Sequence, residues 1–211
     1  MEISALFITA FVVGLSGAMT PGPMLTATIA ETARRGFKAG PLIALGHAIL
    51  ELILVLALLK GLSQYLTRES VTNVIAVLGG GFLMFMGFNM TRDGIQSRLS
   101  VANLQEGKAQ RLHLHPVIAG ILVSLANPYW ILWWATIGLN YITISLRNGA
   151  LGISAFYSGH ILSDLIWYSA VALAIAGGRR FFTQGVYNFI LAICGIFLLG
   201  LGGYFIYSGI S

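Results

Sequence analysis

The chain of 211 residues is 57% hydrophobic and only 9% charged, with a mean hydropathy of +0.84, whereas a soluble domain carries about 25% charged residues. Its 12 Lys and Arg outnumber 7 acids, but they stand singly or in pairs between apolar segments, which excludes a nucleic-acid surface and fits loops beside a lipid bilayer. The lone Cys194 excludes an internal disulfide or a two-thiol relay, and reads as a small apolar residue packed in the last helix.

A membrane-spanning helix needs about 20 apolar residues, and the sequence predicts six. The first runs from Ile3 to Ala33; no basic residues precede it and no cleavage site follows, so it reads as a retained span. Within it, Thr20-Pro21-Gly22-Pro23 interrupts the helix. Two readings stand side by side there: a proline kink, or a break and restart with Thr20 as N-cap and Pro21 in the first helical position. The second span, Ala39 to Leu62, contains Gly46-His47-Ala48-Ile49-Leu50-Glu51-Leu52. The third runs from Val71 to Met90, and a hydrophilic interruption with Arg92, Arg98, Lys108 and Arg111 follows. The fourth, Pro116 to Leu146, carries the aromatic run Asn127-Pro128-Tyr129-Trp130-Ile131-Leu132-Trp133-Trp134. Asn127 would cap a second restarted helix and Pro128 would open it. The fifth, Gly149 to Gly177, contains Gly159-His160-Ile161-Leu162-Ser163-Asp164-Leu165, and the sixth covers Val186 to Tyr207.

The chain is thus expected to be an all-α polytopic membrane protein, with six transmembrane helices forming a 3+3 inverted repeat and helices one and four broken at proline. Residues 1–92 would form the first repeat, 93–115 a cytoplasmic connecting loop and 116–211 the second repeat. Gly80, Phe82, Gly87 and Gly94 recur as Gly195, Phe197, Gly202 and Gly209 at an offset of 115, and the His-acid pairs recur at an offset of 113. A repeat holding an odd number of spans crosses the membrane in opposite senses, as in many secondary transporters. Nine basic residues, Arg34, Arg35 and Lys38 among them, fall on one side, against Lys60, Arg68 and Arg147 on the other. The positive-inside rule therefore places both termini outside.

Glu51 and Asp164 are acids embedded near the centres of apolar spans; the other five fall at termini or in loops. A charge at that depth costs about 3 kcal/mol on insertion scales, and such groups mark ion or substrate sites. His47 and His160 lie one helical turn before these acids, on the same helix faces. The four could exchange protons, form a divalent-metal set, or simply lock two helices together. The aromatic run around Trp130 reads equally as a cavity wall and as an interfacial belt.

Together these residues resemble the LysE/RhtB family of amino-acid exporters. The resemblance covers nearly the whole chain. It rests on Gly17-Ala18-Met19-Thr20-Pro21-Gly22-Pro23, the spaced Gly36, Gly40 and Gly46, Glu51, Lys60-Gly61-Leu62, and Leu125-Ala126-Asn127-Pro128. Thr20 to Pro23 match the family's first motif, and Asn127 and Pro128 its second, while Glu51 stands where aspartate is common. Tyr129 replaces a frequent lysine. His47 and His160 fall outside the motifs that carry the resemblance. The resemblance implies six helices and export of amino acids or similar solutes across the cell membrane, driven by the proton motive force.

The function expected is therefore a secondary transporter that exports a small amino acid or related zwitterion by proton antiport. The substrate carboxylate would meet the two helix breaks, and Glu51 and Asp164, tuned by His47 and His160, would exchange its ammonium for a proton. The alternative is a divalent metal-ion exporter using His47, Glu51, His160 and Asp164. No cofactor is called for, a homodimer is left open, and an enzyme is not expected, since no Ser or Cys stands beside a base in sequence.

Overall fold

The computed structural model describes residues 1–62, 69–96, 114–178 and 183–210. Arg68, Arg98, Lys108, Arg111, Arg179 and Arg180, used to assign sidedness, lie outside the described residues, as does most of the connecting loop. Among the described residues the chain is helical, with no strand: α1 (Ile3–Ala18), α2 (Pro23–Arg35), α3 (Ala39–Ala57), α4 (Glu69–Gln96), α5 (Pro116–Leu125), α6 (Pro128–Trp133), α7 (Leu139–Ser145), α8 (Gly149–Gly177) and α9 (Gln184–Ile210). Short π-helical turns follow α3 (Leu58–Leu62) and α6 (Trp134–Gly138).

Four segments are long and apolar enough to cross a membrane: Ala39–Gly61, Asn73–Gln96, Tyr129–Gly177 and Gln184–Ile210. A fifth forms if α1 and α2, bent by 75° at their junction, count as one broken span. Large apolar side chains such as Leu78, Phe85, Leu151 and Ile196 point outward, as a lipid-facing surface requires. The chain is a multi-pass membrane protein. Within Tyr129–Gly177, a 3-10 turn at Leu146–Asn148 and a positive φ of 59° at Gly149 separate α7 from α8.

Both proline sites break the helix, but the first does so two residues later than the sequence suggests. Thr20 is not the cap and Pro21 is not the first helical residue. Gly22 stands before α2 in an extended conformation and Pro23 takes the first position. The reason is that α1 uses Thr20 to finish itself. The Met19 N–H donates to the Leu15 carbonyl and the Thr20 N–H to the Gly17 carbonyl, each at 3.0 Å, and the Thr20 hydroxyl donates to the Ser16 carbonyl at 3.2 Å. At the second site the expectation holds. Asn127 caps α6, its side chain accepting the Tyr129 N–H at 3.2 Å, with Pro128 in the first position.

The third span is longer than expected, since α4 continues past Met90 to Gln96. Glu31 and Asp93, read as loop acids, lie inside α2 and α4. Glu31 joins Arg34 and Arg35 at 2.7 Å each, and Arg35 Nη2 donates to the Leu114 carbonyl at 2.9 Å. The basic end of α2 is thereby tied to the chain just before α5.

The helices pack as α1 on α8, α3 on α5 and α4 on α9, with α3 against α8 at the centre. Glycine lets these backbones touch. A Cβ on Gly46 would run into the Val117 carbonyl, one on Gly120 into that of Ile43, and one on Gly159 into that of Phe7. On α4 and α9 the contacts are reciprocal. A Cβ on Gly80 would lie 2.6 Å from the Gly202 carbonyl and one on Gly202 2.6 Å from the Gly80 carbonyl, and Gly87 and Gly195 repeat the arrangement. Small residues at such seams replace the hydrophobic drive that lipid removes.

Candidate functional site

The seam between α3 and α8 brings the two His-acid pairs together at one point. His47 and Glu51 lie one turn apart on α3, His160 and Asp164 one turn apart on α8, and all four are buried. His47 Nε2 is 3.1 Å from Glu51 Oε1, and His160 Nε2 is 3.0 Å from Glu51 Oε2. Both nitrogens stand 3.7 Å from Asp164 Oδ2. Each acid pairs in sequence with the histidine of its own helix; in space Glu51 stands closest to both.

Two indoles complete the surroundings of Glu51. Trp130 Nε1–H donates to Oε1 at 2.9 Å and Trp134 Nε1–H donates to the same oxygen at 2.8 Å. The π-helical turn that begins at Trp134 sets its ring over Gly138, where an added Cβ would collide with the indole. Single π turns of this kind recur at functional sites. Trp133 stacks on His160, with ring centroids 4.6 Å apart and planes at 22°. The three tryptophans are thus a buried wall rather than an interfacial belt.

Ser124, on α5, fixes the far side of His47. Its Oγ is 2.7 Å from His47 Nδ1 and 2.7 Å from the Gly120 carbonyl. A hydroxyl has one proton. Donated to the Gly120 carbonyl, that proton leaves Oγ to accept from His47 Nδ1–H. In a neutral imidazole the lone pair is then on Nε2, facing Glu51 Oε1, itself an acceptor. Two acceptors at 3.1 Å call for a proton or another cation between them. His47, Glu51 and Asp164 also each present one ligand atom within 4.8 Å of the others, close enough to share a divalent ion.

A cavity with about 60 Å³ open to water connects these groups to both helix breaks: Thr20, Pro21, Gly22, Pro23 and Asn127 line it beside His47, Glu51, His160 and Asp164. Trp130 forms part of the wall, and Pro128 opens α6. The volume suits a few waters. Gly138 touches Trp134, four residues earlier in its own segment, and Ser124 carried no signal in the sequence, because its role depends on which helix lies opposite. Trp134 did, through its spacing of four from Trp130.

Comparison with known proteins gives a family and relatives that align along most of the chain. The family described as LysE type translocator matches residues 15–209. The chemotactic transduction protein ChpE of Pseudomonas aeruginosa is 28% identical over 94% of this chain and 96% of its own. YcgF of Bacillus subtilis, provisionally named an amino acid efflux protein, is 26% identical over 98% of this chain and 97% of its own. The threonine efflux protein of Salmonella typhi is 24% identical over 96% of this chain and 98% of its own. No solved structure matches.

Proposed function

This chain belongs to the LysE type translocator family, and from that premise we propose that it exports a small amino acid or related zwitterion in exchange for protons. The observation that carries the reading is the cavity, where two carboxylates and two imidazoles meet the ends of two broken helices. A zwitterion needs both kinds of partner. Its carboxylate suits the positive ends of α2 and α6. Its ammonium suits Glu51 and Asp164, which in its absence hold protons with His47 and His160. The names of YcgF and the Salmonella threonine efflux protein point to amino acids as the cargo class.

In this reading residues 1–92 and 116–211 are inverted three-helix repeats joined by a cytoplasmic loop at 93–115, with both termini outside a cell membrane. The reciprocal contacts support it: exchanging residues at the offset of 115 turns the Gly80–Gly202 contact into Gly195–Gly87. A second reading, export of a divalent metal, is favoured by the ligand spacing of His47, Glu51 and Asp164.

Flux of labelled amino acids and of divalent metals into sealed vesicles, with and without a pH gradient, tests both. Gradient-dependent amino-acid movement that disappears in the Glu51→Gln, Asp164→Asn double variant is the expected result. Metal flux without amino-acid flux, abolished by His47→Gln or His160→Gln, would replace the first reading with the second.

A further inference from the structure

Glu51 and Asp164 share one cavity but differ in what already holds them. Glu51 Oε1 accepts two indole N–H groups, from Trp130 at 2.9 Å and Trp134 at 2.8 Å, and lies 3.1 Å from His47 Nε2. Moving that oxygen would strand both buried indole donors. Asp164 accepts no hydrogen bond from any described residue. Its nearest nitrogens, on His47 and His160, are 3.7 Å from Oδ2, beyond hydrogen-bond reach.

Three hydroxyls on the same helix are committed elsewhere. The Ser163 hydroxyl donates to the His160 carbonyl at 2.6 Å. The Tyr157 hydroxyl donates to the Ala48 carbonyl at 2.7 Å, and the Tyr168 hydroxyl points to the Ala18 carbonyl at 3.5 Å. Asp164 Oδ2 is buried without a hydrogen-bond partner, whereas Glu51 Oε2 has His160 Nε2 beside it at 3.0 Å. A buried acceptor without a donor is costly. A donor that enters the cavity therefore gains most by binding Asp164.

We propose that the two carboxylates divide their tasks: Glu51 is a positioning residue clamped by Trp130 and Trp134, and Asp164 is the carboxylate that receives the amino group of the cargo. The inference rests on the amino-acid reading above and adds a residue-level assignment to it. The ligand class is a primary ammonium with three N–H donors. An N-acylated analogue, which keeps the carboxylate but loses the charge, should be discriminated against at Asp164.

The test uses the full chain in sealed vesicles. The probe is whichever member of a labelled amino-acid panel exchanges fastest through the wild type, with its unlabelled N-acetyl derivative as competitor. In Asp164→Asn the half-saturation concentration of the amino acid is expected to rise about tenfold or more, as for a lost hydrogen bond to a charged group. The preference over the N-acetyl compound should collapse with it, and Asp164→Glu should restore part of both. Glu51→Gln and the Trp130→Phe, Trp134→Phe double variant should lower the maximal rate while keeping that preference.

Preference that survives in Asp164→Asn, or vanishes in Glu51→Gln, overturns the assignment while leaving amino-acid transport intact. A wild type that moves no amino acid overturns the transport reading itself, and the assignment with it. If Asp164→Asn fails to fold, as tryptophan fluorescence would report, Asp164→Glu and Glu51→Gln still decide through the preference ratio.

Discussion

Ser124 hydrogen-bonds neither carboxylate, yet by giving its proton to the Gly120 carbonyl it decides which nitrogen of His47 faces them. Ser124→Ala removes the acceptor at 2.7 Å from His47 Nδ1 and should lower stability by about 1 to 3 kcal/mol, the usual cost of an orphaned buried donor. Thermal unfolding in detergent checks it, and Ser124→Thr should recover most of the loss. Gly138 acts at one remove in the same way. In Gly138→Ala the new methyl displaces the Trp134 ring, so flux should fall as in Trp134→Phe, by about 100-fold if the misplacement at Glu51 reaches 1 Å. Parallel flux assays on the two variants compare them directly. The acids and histidines of this site were legible in the sequence, because a charge inside an apolar span has few explanations and the four-residue spacing fixes the face. The crossed pairing of His160 with Glu51, and the part played by Ser124, were not. They depend on which helices meet, and spacing along one helix is silent about its neighbour.

Helices α3 and α5 meet where Gly46 faces the Val117 carbonyl and Gly120 faces that of Ile43. Any side chain there must push the backbones apart. Gly46→Ala or Gly120→Ala should cost about 1 to 3 kcal/mol, as overpacking does, and should weaken the contact between His47, next to Gly46, and Ser124, one turn after Gly120. Thermal unfolding measures the first effect and vesicle flux the second. The control is Gly81→Ala, whose Cβ would meet nothing within 4 Å, so only the helix propensity of alanine should register. The break between α1 and α2 shows how far an element can be read in advance. The sequence announces an interruption at Thr20 to Pro23, since two prolines cannot continue a helix. It offers two places to restart, however, and the choice falls to Pro23 because α1 claims Thr20 for its own last turn. Asn127-Pro128 offers one place, and there the cap was legible to the residue.

Across the whole molecule, the sidedness proposed above predicts what a membrane-impermeant thiol reagent will reach. Cys194 is buried, so Cys194→Ala gives a clean background. Phe37→Cys, in the exposed turn between α2 and α3, should be labelled only after the cells are opened, and Ser4→Cys in intact cells; the reverse pattern would invert the orientation. The seams described earlier have a further consequence, for how such a protein is made. The tight contacts join α1 to α8, α3 to α5 and α4 to α9, so each ties a span of the first half to one of the second. Phe7 waits for Gly159, Gly46 for Val117 and Gly80 for Gly202. Contacts so distant along the chain form late. Helices α1, α3 and α4 are therefore synthesised before the partners that close their glycine seams.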